Sequence, residues 1–230
     1  MENKTDPTNQ LLAALPSKTY KGLLPKFERF DLHYHEDIYA PGDVIKYVYF
    51  PESGIISLLA VVEKASMIEV GIVGSEGMAG LSVFLGVKTS LNRAVVQGAG
   101  IALRMKTEDF LAECESDKEL SRILRRFAHS LMTQIGQAAA CNRYHPIETR
   151  FARWLLMTRD RMRSNEFQIT QEFLSNMLGV RREAVNKVAH DFQEHGLISY
   201  VRGHLTINNG KELENRACLC YQIVRDDLAA

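Results

Sequence analysis

The 230-residue sequence predicts an α+β protein: short β strands first, then one long helix, then a small helical domain ending in a β hairpin. Three observations predict it. From about Phe30 to Met105, β-rich runs alternate with turn residues and no long helix intervenes. From Asp117 to about Asn142, apolar residues recur at alternating steps of four and three. Between Thr170 and Ile198, two helical patterns flank Gly179, and two β-like runs follow at once.

In chain order, Thr8 is read as the cap of a short helix stopped near Pro16, and a second apolar cluster spans Tyr20 to Phe30. The turn Ala40-Pro41-Gly42-Asp43 precedes a β run from Val44 to Phe50, and Pro51-Glu52-Ser53-Gly54 turns the chain again. Ile55 to Val62, Met67 to Val73 and Arg93 to Met105 complete a series expected to form an antiparallel jelly roll. In the long helix, Leu120, Leu124, Phe127, Leu131, Gln134 or Ile135, and Ala138 form one seam, with Arg122, Arg125, Arg126 and His129 mostly off it. Such a seam calls either for a partner helix or for the helix to lie on its own barrel. Tyr144-His145-Pro146 interrupts it, because proline disfavours helix in the residue before it. The expected division is therefore residues 1–116 as a β domain, 117–143 as the long helix and 147–230 as the small domain, with a hinge at 143–146.

In the small domain, Phe173, Leu174, Met177 and Leu178 line the first helix of the pair, and Val185, Val188, Ala189 and Phe192 the second. Arg181, Arg182, Glu183, Asn186 and Lys187 gather where the second helix begins. A recognition helix needs such groups there, since its first turns meet base edges in the major groove. Arginine grips guanine O6 and N7 with two hydrogen bonds, and glutamate accepts from cytosine N4. Arg202-Gly203 turns the hairpin, which makes the motif a winged helix and sets Arg202 and His204 near phosphate. Gly210 to Val224 is expected to be a closing amphipathic helix.

This stretch resembles the DNA-binding domain of the Crp/Fnr family, relatives of the catabolite activator protein. The resemblance implies a cyclic-nucleotide-binding-like jelly roll, a dimerisation helix and a homodimer on a palindromic operator of double-stranded DNA. It implies that Arg182 and Glu183 read a G·C pair of a TGA-type half-site and that Lys187 adds a contact one turn on. Lysine stands where the family usually has arginine and lacks the planar fork. Thr170, Gln171, Arg181, Asn186 and Arg202 complete the expected DNA-binding set. RNA polymerase is a further partner the resemblance allows. The signal would act by biasing two dispositions of the DNA-binding halves.

The effector region is less faithful to the family. Gly74-Ser75-Glu76-Gly77-Met78-Ala79-Gly80 is glycine-rich and precedes Arg93-Ala94, a combination suited to phosphate. With Gly77 and Gly80 aligned to the family's two glycines, Met78 falls where a glutamate holds the ribose, and Ile135 falls where the purine is read. The expected pocket is thus Gly77, Met78, Gly80, Arg93, Ala94 and Ile135, with a different, unidentified small-molecule effector, or none, expected in place of a cyclic nucleotide.

Composition excludes little. Lysine plus arginine equals aspartate plus glutamate at 28 each, so a DNA reader must concentrate its positive charge locally. Residues 147–207 hold nine Lys/Arg against seven Asp/Glu, so placement carries the argument more than charge. No apolar run suits a bilayer and no secretory signal opens the chain, so no membrane partner and a cytoplasmic site are expected. Cys114, Cys141, Cys218 and Cys220 form no CxxC pair, and no cofactor or metal is expected; the Cys218-Leu219-Cys220 pair is read as structural before redox or metal-binding. The rival reading is a cupin-type metal enzyme, from two imidazoles in His33-Tyr34-His35 placed on one face of a strand. It lacks a third histidine in the β region, and no catalytic signature is present, so no enzyme activity is expected.

Overall fold

The computed structural model describes residues 7–63 and 66–229. Compactness divides the chain into two units, Met1–Leu58 with Ile72–Leu131, and Leu59–Gly71 with Met132–Ala230.

The first unit begins with α1 (Gln10–Ala13) and α2 (Ser17–Leu23), followed by a 3-10 turn at Leu24–Lys26. The cap of α1 is Asn9, one residue after the expected threonine. Asn9 is fully buried: Oδ1 accepts from Leu12 N at 3.1 Å, and Nδ2 donates to the carbonyls of Pro51 and Gly77 at 2.8 and 2.9 Å. The strands are β1 (Glu28–Leu32), β2 (Asp37–Tyr39), β3 (Tyr47–Pro51), β4 (Ile55–Glu63), β5 (Ser66–Val73), β6 (Arg93–Gly98) and β7 (Gly100–Lys106), with the short helix α3 (Leu81–Phe84) between β5 and β6. One sheet has the order β1-β7-β3 and another β2-β6-β4-β5. Both neighbours of β7 are antiparallel to it, with Phe30 opposite Ala102 and Phe50 opposite Leu103. The run expected from Arg93 to Met105 is thus two strands, broken at Ala99.

The imidazoles behind the cupin reading are not on a strand. His33-Tyr34-His35 forms the turn between β1 and β2, His35 has φ 69°, and both histidines are exposed. Period-two alternation does not apply there, so the two rings do not share a strand face.

An additional helix, α4 (Thr107–Ser116), precedes α5 (Lys118–Tyr144). Asp117 separates them and caps α5: its Oδ1 accepts from the N–H groups of Glu119 and Leu120 at 2.8 and 3.0 Å. The Leu120 bond first, then the Thr19 hydroxyl, holds its carboxyl below the ordinary carboxylate value. Leu120, Leu124, Phe127, Leu131, Gln134 and Ala138 are all buried within the single chain. The seam therefore packs on the chain's own residues, the second of the two arrangements its periodicity allows. A different stripe stays open: Arg125, His129, Met132, Gly136, Ala139 and Arg143, again at steps of four and three, are exposed.

Within the second unit, Pro146 caps α6 (Ile147–Met162), as proline's fixed φ permits. Next come β8 (Glu166–Gln168), α7 (Gln171–Leu178), α8 (Arg182–Glu194), β9 (Ile198–Val201) and β10 (His204–Ile207). The hairpin gains a third strand that lacks a strong sequence signal, giving the order β8-β10-β9. The expected closing helix is two, α9 (Gly210–Arg216) and α10 (Leu219–Ala229), parted at Ala217-Cys218. Among the described residues, no helix is long and apolar enough to cross a membrane.

Thr170 Oγ1 accepts from Phe173 N at 3.1 Å and so satisfies one of the orphan donors of α7. Thr170→Ala is expected to lower stability by about 1 kcal/mol, measured as a shift in urea midpoint at unchanged slope.

Candidate nucleic-acid interface

The geometry of the interface starts with its turn. Gly179 ends α7 in the left-handed region, φ 61°, and its N–H turns back to the carbonyls of Ser175 and Asn176. Val180 N donates to Ser175 O at 3.0 Å, which also satisfies the end of the helix. The Arg150 guanidinium, reaching from α6, donates to the Leu178 carbonyl. A Cβ on Gly179 would lie 2.6 Å from Ile68 Cδ1, so the turn is closely covered as well as tightly wound.

Beyond the turn, Arg181 is the cap of α8, in extended conformation and with no side-chain cap bond. Val185, Val188, Ala189 and Phe192 are buried, and the Phe192 ring stacks on Phe151 of α6 at 5.2 Å and 29°. With that face inward, Arg181, Arg182, Glu183, Asn186 and Lys187 are all exposed. Arginines here oppose the positive end of the helix dipole and cost a few tenths of a kcal/mol each, roughly. They also reinforce the attraction of the helix N-terminus for an anion such as phosphate.

Gln171 has a more definite part than its position in the sequence announces. Its Nε2 donates to Asn186 Oδ1 at 3.1 Å, and its Oε1 accepts from Arg182 Nε at 3.4 Å. One side chain from α7 thus steadies two on α8. At the other edge, Arg202 and Gly203 have φ 50° and 82°, the pairing of a two-residue hairpin turn that matches strand twist. Arg202 is exposed at that tip. The hairpin is anchored to the start of α7, because Tyr200 Oη donates to Ile169 O at 2.9 Å and Ile169 N to Gly203 O at 2.7 Å.

The residues expected at the effector pocket are arranged differently from a phosphate cradle. Gly74 N donates to Glu76 Oε1, Gly77 N to Gly74 O, and Ala79 N to Tyr49 O, so these donors are already engaged. Met78 is fully buried. The close approach that Gly77 permits is taken by the Phe127 ring, which a Cβ there would overlap. Gly80 has φ 90° and caps α3. Arg93 holds Asp37 with two nitrogens, at 2.7 and 3.2 Å; Ala94 is buried and Ile135 half-buried. A cleft of 570 Å³ does open in the first unit, lined among others by Tyr39, Asp43, Tyr47, Tyr49 and Arg104, and by none of these six. Burial pushes the Tyr39 hydroxyl up to about 12, so it stays neutral.

A cluster that sequence reasoning missed also lies in the second unit. Cys218 and Cys220 are joined by Cys141 and His145. The signal available was the four-residue step from Cys141 to His145, one helical turn on the same face.

Residues 149–216 match the Crp-like helix-turn-helix domain family. No curated protein sequence matches the chain. Solved structures share its fold at low identity. FixK2 from Bradyrhizobium japonicum is similar at 14% identity with a TM-score of 0.70, covering 84% of this chain and 98% of its own. The c-di-GMP-responsive global regulator CLP of Xanthomonas campestris is similar at 16% identity and TM-score 0.68, covering 84% of this chain and 100% of its own. A CRP-family transcriptional regulator from Thermus thermophilus is similar at 20% identity and TM-score 0.67, covering 82% of this chain and 95% of its own. The chain therefore has the fold of the Crp/Fnr regulators and carries a Crp-like helix-turn-helix domain.

Gly179→Ala is expected to cost about 1–2 kcal/mol from the left-handed backbone alone, with a further loss if Ile68 cannot move aside. Thermal melts of the purified variant measure it.

Proposed function

We propose that this chain is a sequence-specific transcription regulator that works in the cytoplasm as a homodimer on a palindromic DNA operator. In this reading residues 1–116 sense a signal, 117–143 pair the subunits and 147–230 bind DNA. The observation that carries it is the polar row on α8: every group suited to base edges is exposed, while the opposite face is locked on α6. Arg182 and Glu183 would read a G·C pair and Lys187 a neighbouring base, with Asn186 held in place by Gln171. Arg181, Arg202 and the N-terminus of α7 at Thr170 would contact phosphate. Two-fold pairing would set two such helices about one DNA turn apart.

The second copy would pair along α5. Because the apolar seam of α5 is used within the chain, pairing falls to the open stripe that includes Met132, Gly136 and Ala139. Small residues allow close helix approach, and a Cβ at Gly136 meets nothing within 4 Å in the single chain. The regulator in this reading answers to a small molecule other than a cyclic nucleotide, or to none, because the loop donors and the Gly77 approach are already occupied.

Two outcomes test this. After selection of an operator from random duplexes, Arg182→Ala or Glu183→Ala loses about 1–3 kcal/mol at one base pair and relaxes preference there. Binding weakens steeply with salt in every variant, and undiminished selectivity would overturn the contact assignment. Gly136→Leu should raise the dimer dissociation constant about tenfold or more in analytical ultracentrifugation, as overpacking at a close helix crossing does. In a chain that does not pair there, the same change would only help the helix, by up to about 0.8 kcal/mol.

A further inference from the structure

We propose that Cys141, His145, Cys218 and Cys220 form a tetrahedral site for a single thiophilic divalent cation, zinc by preference, that clasps the base of the DNA-binding domain. The four ligand atoms all lie within 4.8 Å of one another. Cys141 Sγ and Cys218 Sγ are 3.6 Å apart, and Cys220 Sγ and His145 Nδ1 3.8 Å. A tetrahedron with zinc–sulfur bonds of about 2.3 Å and a zinc–nitrogen bond of about 2.0 Å has edges of about 3.5–3.8 Å. The two measured separations fall on that scale, and small side-chain rotations close the rest. An iron–sulfur cluster distributes its ligands over several metal atoms and needs them further apart, so a mononuclear ion fits better.

The local structure supports the site in two independent ways. First, ligands arrive in two short pairs from distant segments. Cys141 and His145 are one turn apart at the end of α5, and Cys218 and Cys220 straddle the first residue of α10. Cys141 and Cys220 are buried and Cys218 and His145 half-buried, so an ion there would be shielded from water. Second, α6 of the same unit carries a buried cation. Arg153 is 9% exposed, its Nε has no hydrogen-bond partner, and Nη1 reaches the Met157 sulfur at 3.5 Å. Three thiolates, one neutral imidazole and a divalent ion sum to a single negative charge, the counter-charge that a buried guanidinium requires.

The topology gives the site a purpose. Everything from α6 to α9, the winged helix-turn-helix included, lies between the two ligand pairs in sequence. A metal would close that stretch into a loop and tie the break after α5 to the start of α10. Metal binding is then folding free energy for the domain. The inference stands on the ligand geometry and does not depend on the DNA reading.

The experiment uses the full-length protein purified under reducing conditions without chelator, with elemental analysis and thiol titration on the native state. About one zinc per chain is expected, with Cys141, Cys218 and Cys220 protected from the thiol reagent until the metal is removed, and Cys218→Ser should fall below about a tenth of an equivalent while Cys114→Ser keeps its metal. Because a ligand variant can fail to fold, the wild-type protein is also stripped and titrated with Co²⁺. Tetrahedral ligand-field bands and a thiolate charge-transfer band saturating at one equivalent support the site. A folded, metal-free protein with no cobalt spectrum overturns it.

Discussion

The stacking of Phe192 on Phe151 is the contact from which the exposed polar row of α8 follows. A helix offers one face to its domain and the opposite face to solvent, and a buried aromatic pair leaves little rotational freedom about the axis. With Val185, Val188 and Ala189 turned inward beside Phe192, the residues between them in sequence must point out. The left-handed Gly179 then sets where α8 begins, and Arg150 and the carbonyls of α7 secure that turn. Gln171 extends the order into the exposed row itself. Polar groups that would otherwise sample many rotamers are partly set before a ligand arrives, which reduces the entropy lost on binding.

The long helix serves two surfaces with one periodicity. Its apolar seam is taken up inside the chain, so the pairing proposed above would have to use a second stripe of smaller and more polar residues. Such a stripe buries less apolar area than a leucine seam. Pairing through it would depend on close backbone approach at Gly136 and Ala139 more than on hydrophobic area. Asp117 sets the start of the helix, and Tyr144-His145-Pro146 its end.

In the first unit, a loop with the composition of a phosphate cradle is filled by protein. Its N–H groups close on Glu76, Gly74 and Tyr49, Asn9 accepts a structural task beneath it, and Phe127 occupies the space a glycine leaves. Glycine permits close approach without specifying what approaches. A separate open cleft lies beside Tyr39, Tyr47 and Arg104. In the second unit the converse holds, because thiols with no recognisable spacing converge with a histidine around one point.

What the sequence determined by itself is local and periodic. The helix-turn-helix pair, the wing turn at Arg202-Gly203, the extent of α6 and the break at Pro146 are written in apolar spacing, glycine and proline, and the structure has them where expected. The exposed row on α8 was legible for the same reason, since a buried face defines its opposite. Only tertiary structure decided the rest. Periodicity shows that a helix has an apolar seam without naming what covers it, and in α5 the cover is the chain itself. A three-residue strand such as β8 is fixed by pairing with β10, not by its own composition. The gathering of Cys141 and His145 with Cys218 and Cys220 spans more than seventy positions, about the number of residues between His145 and Cys218. No local rule reaches across that distance; packing of α6 against α9 and α10 brings those ends together.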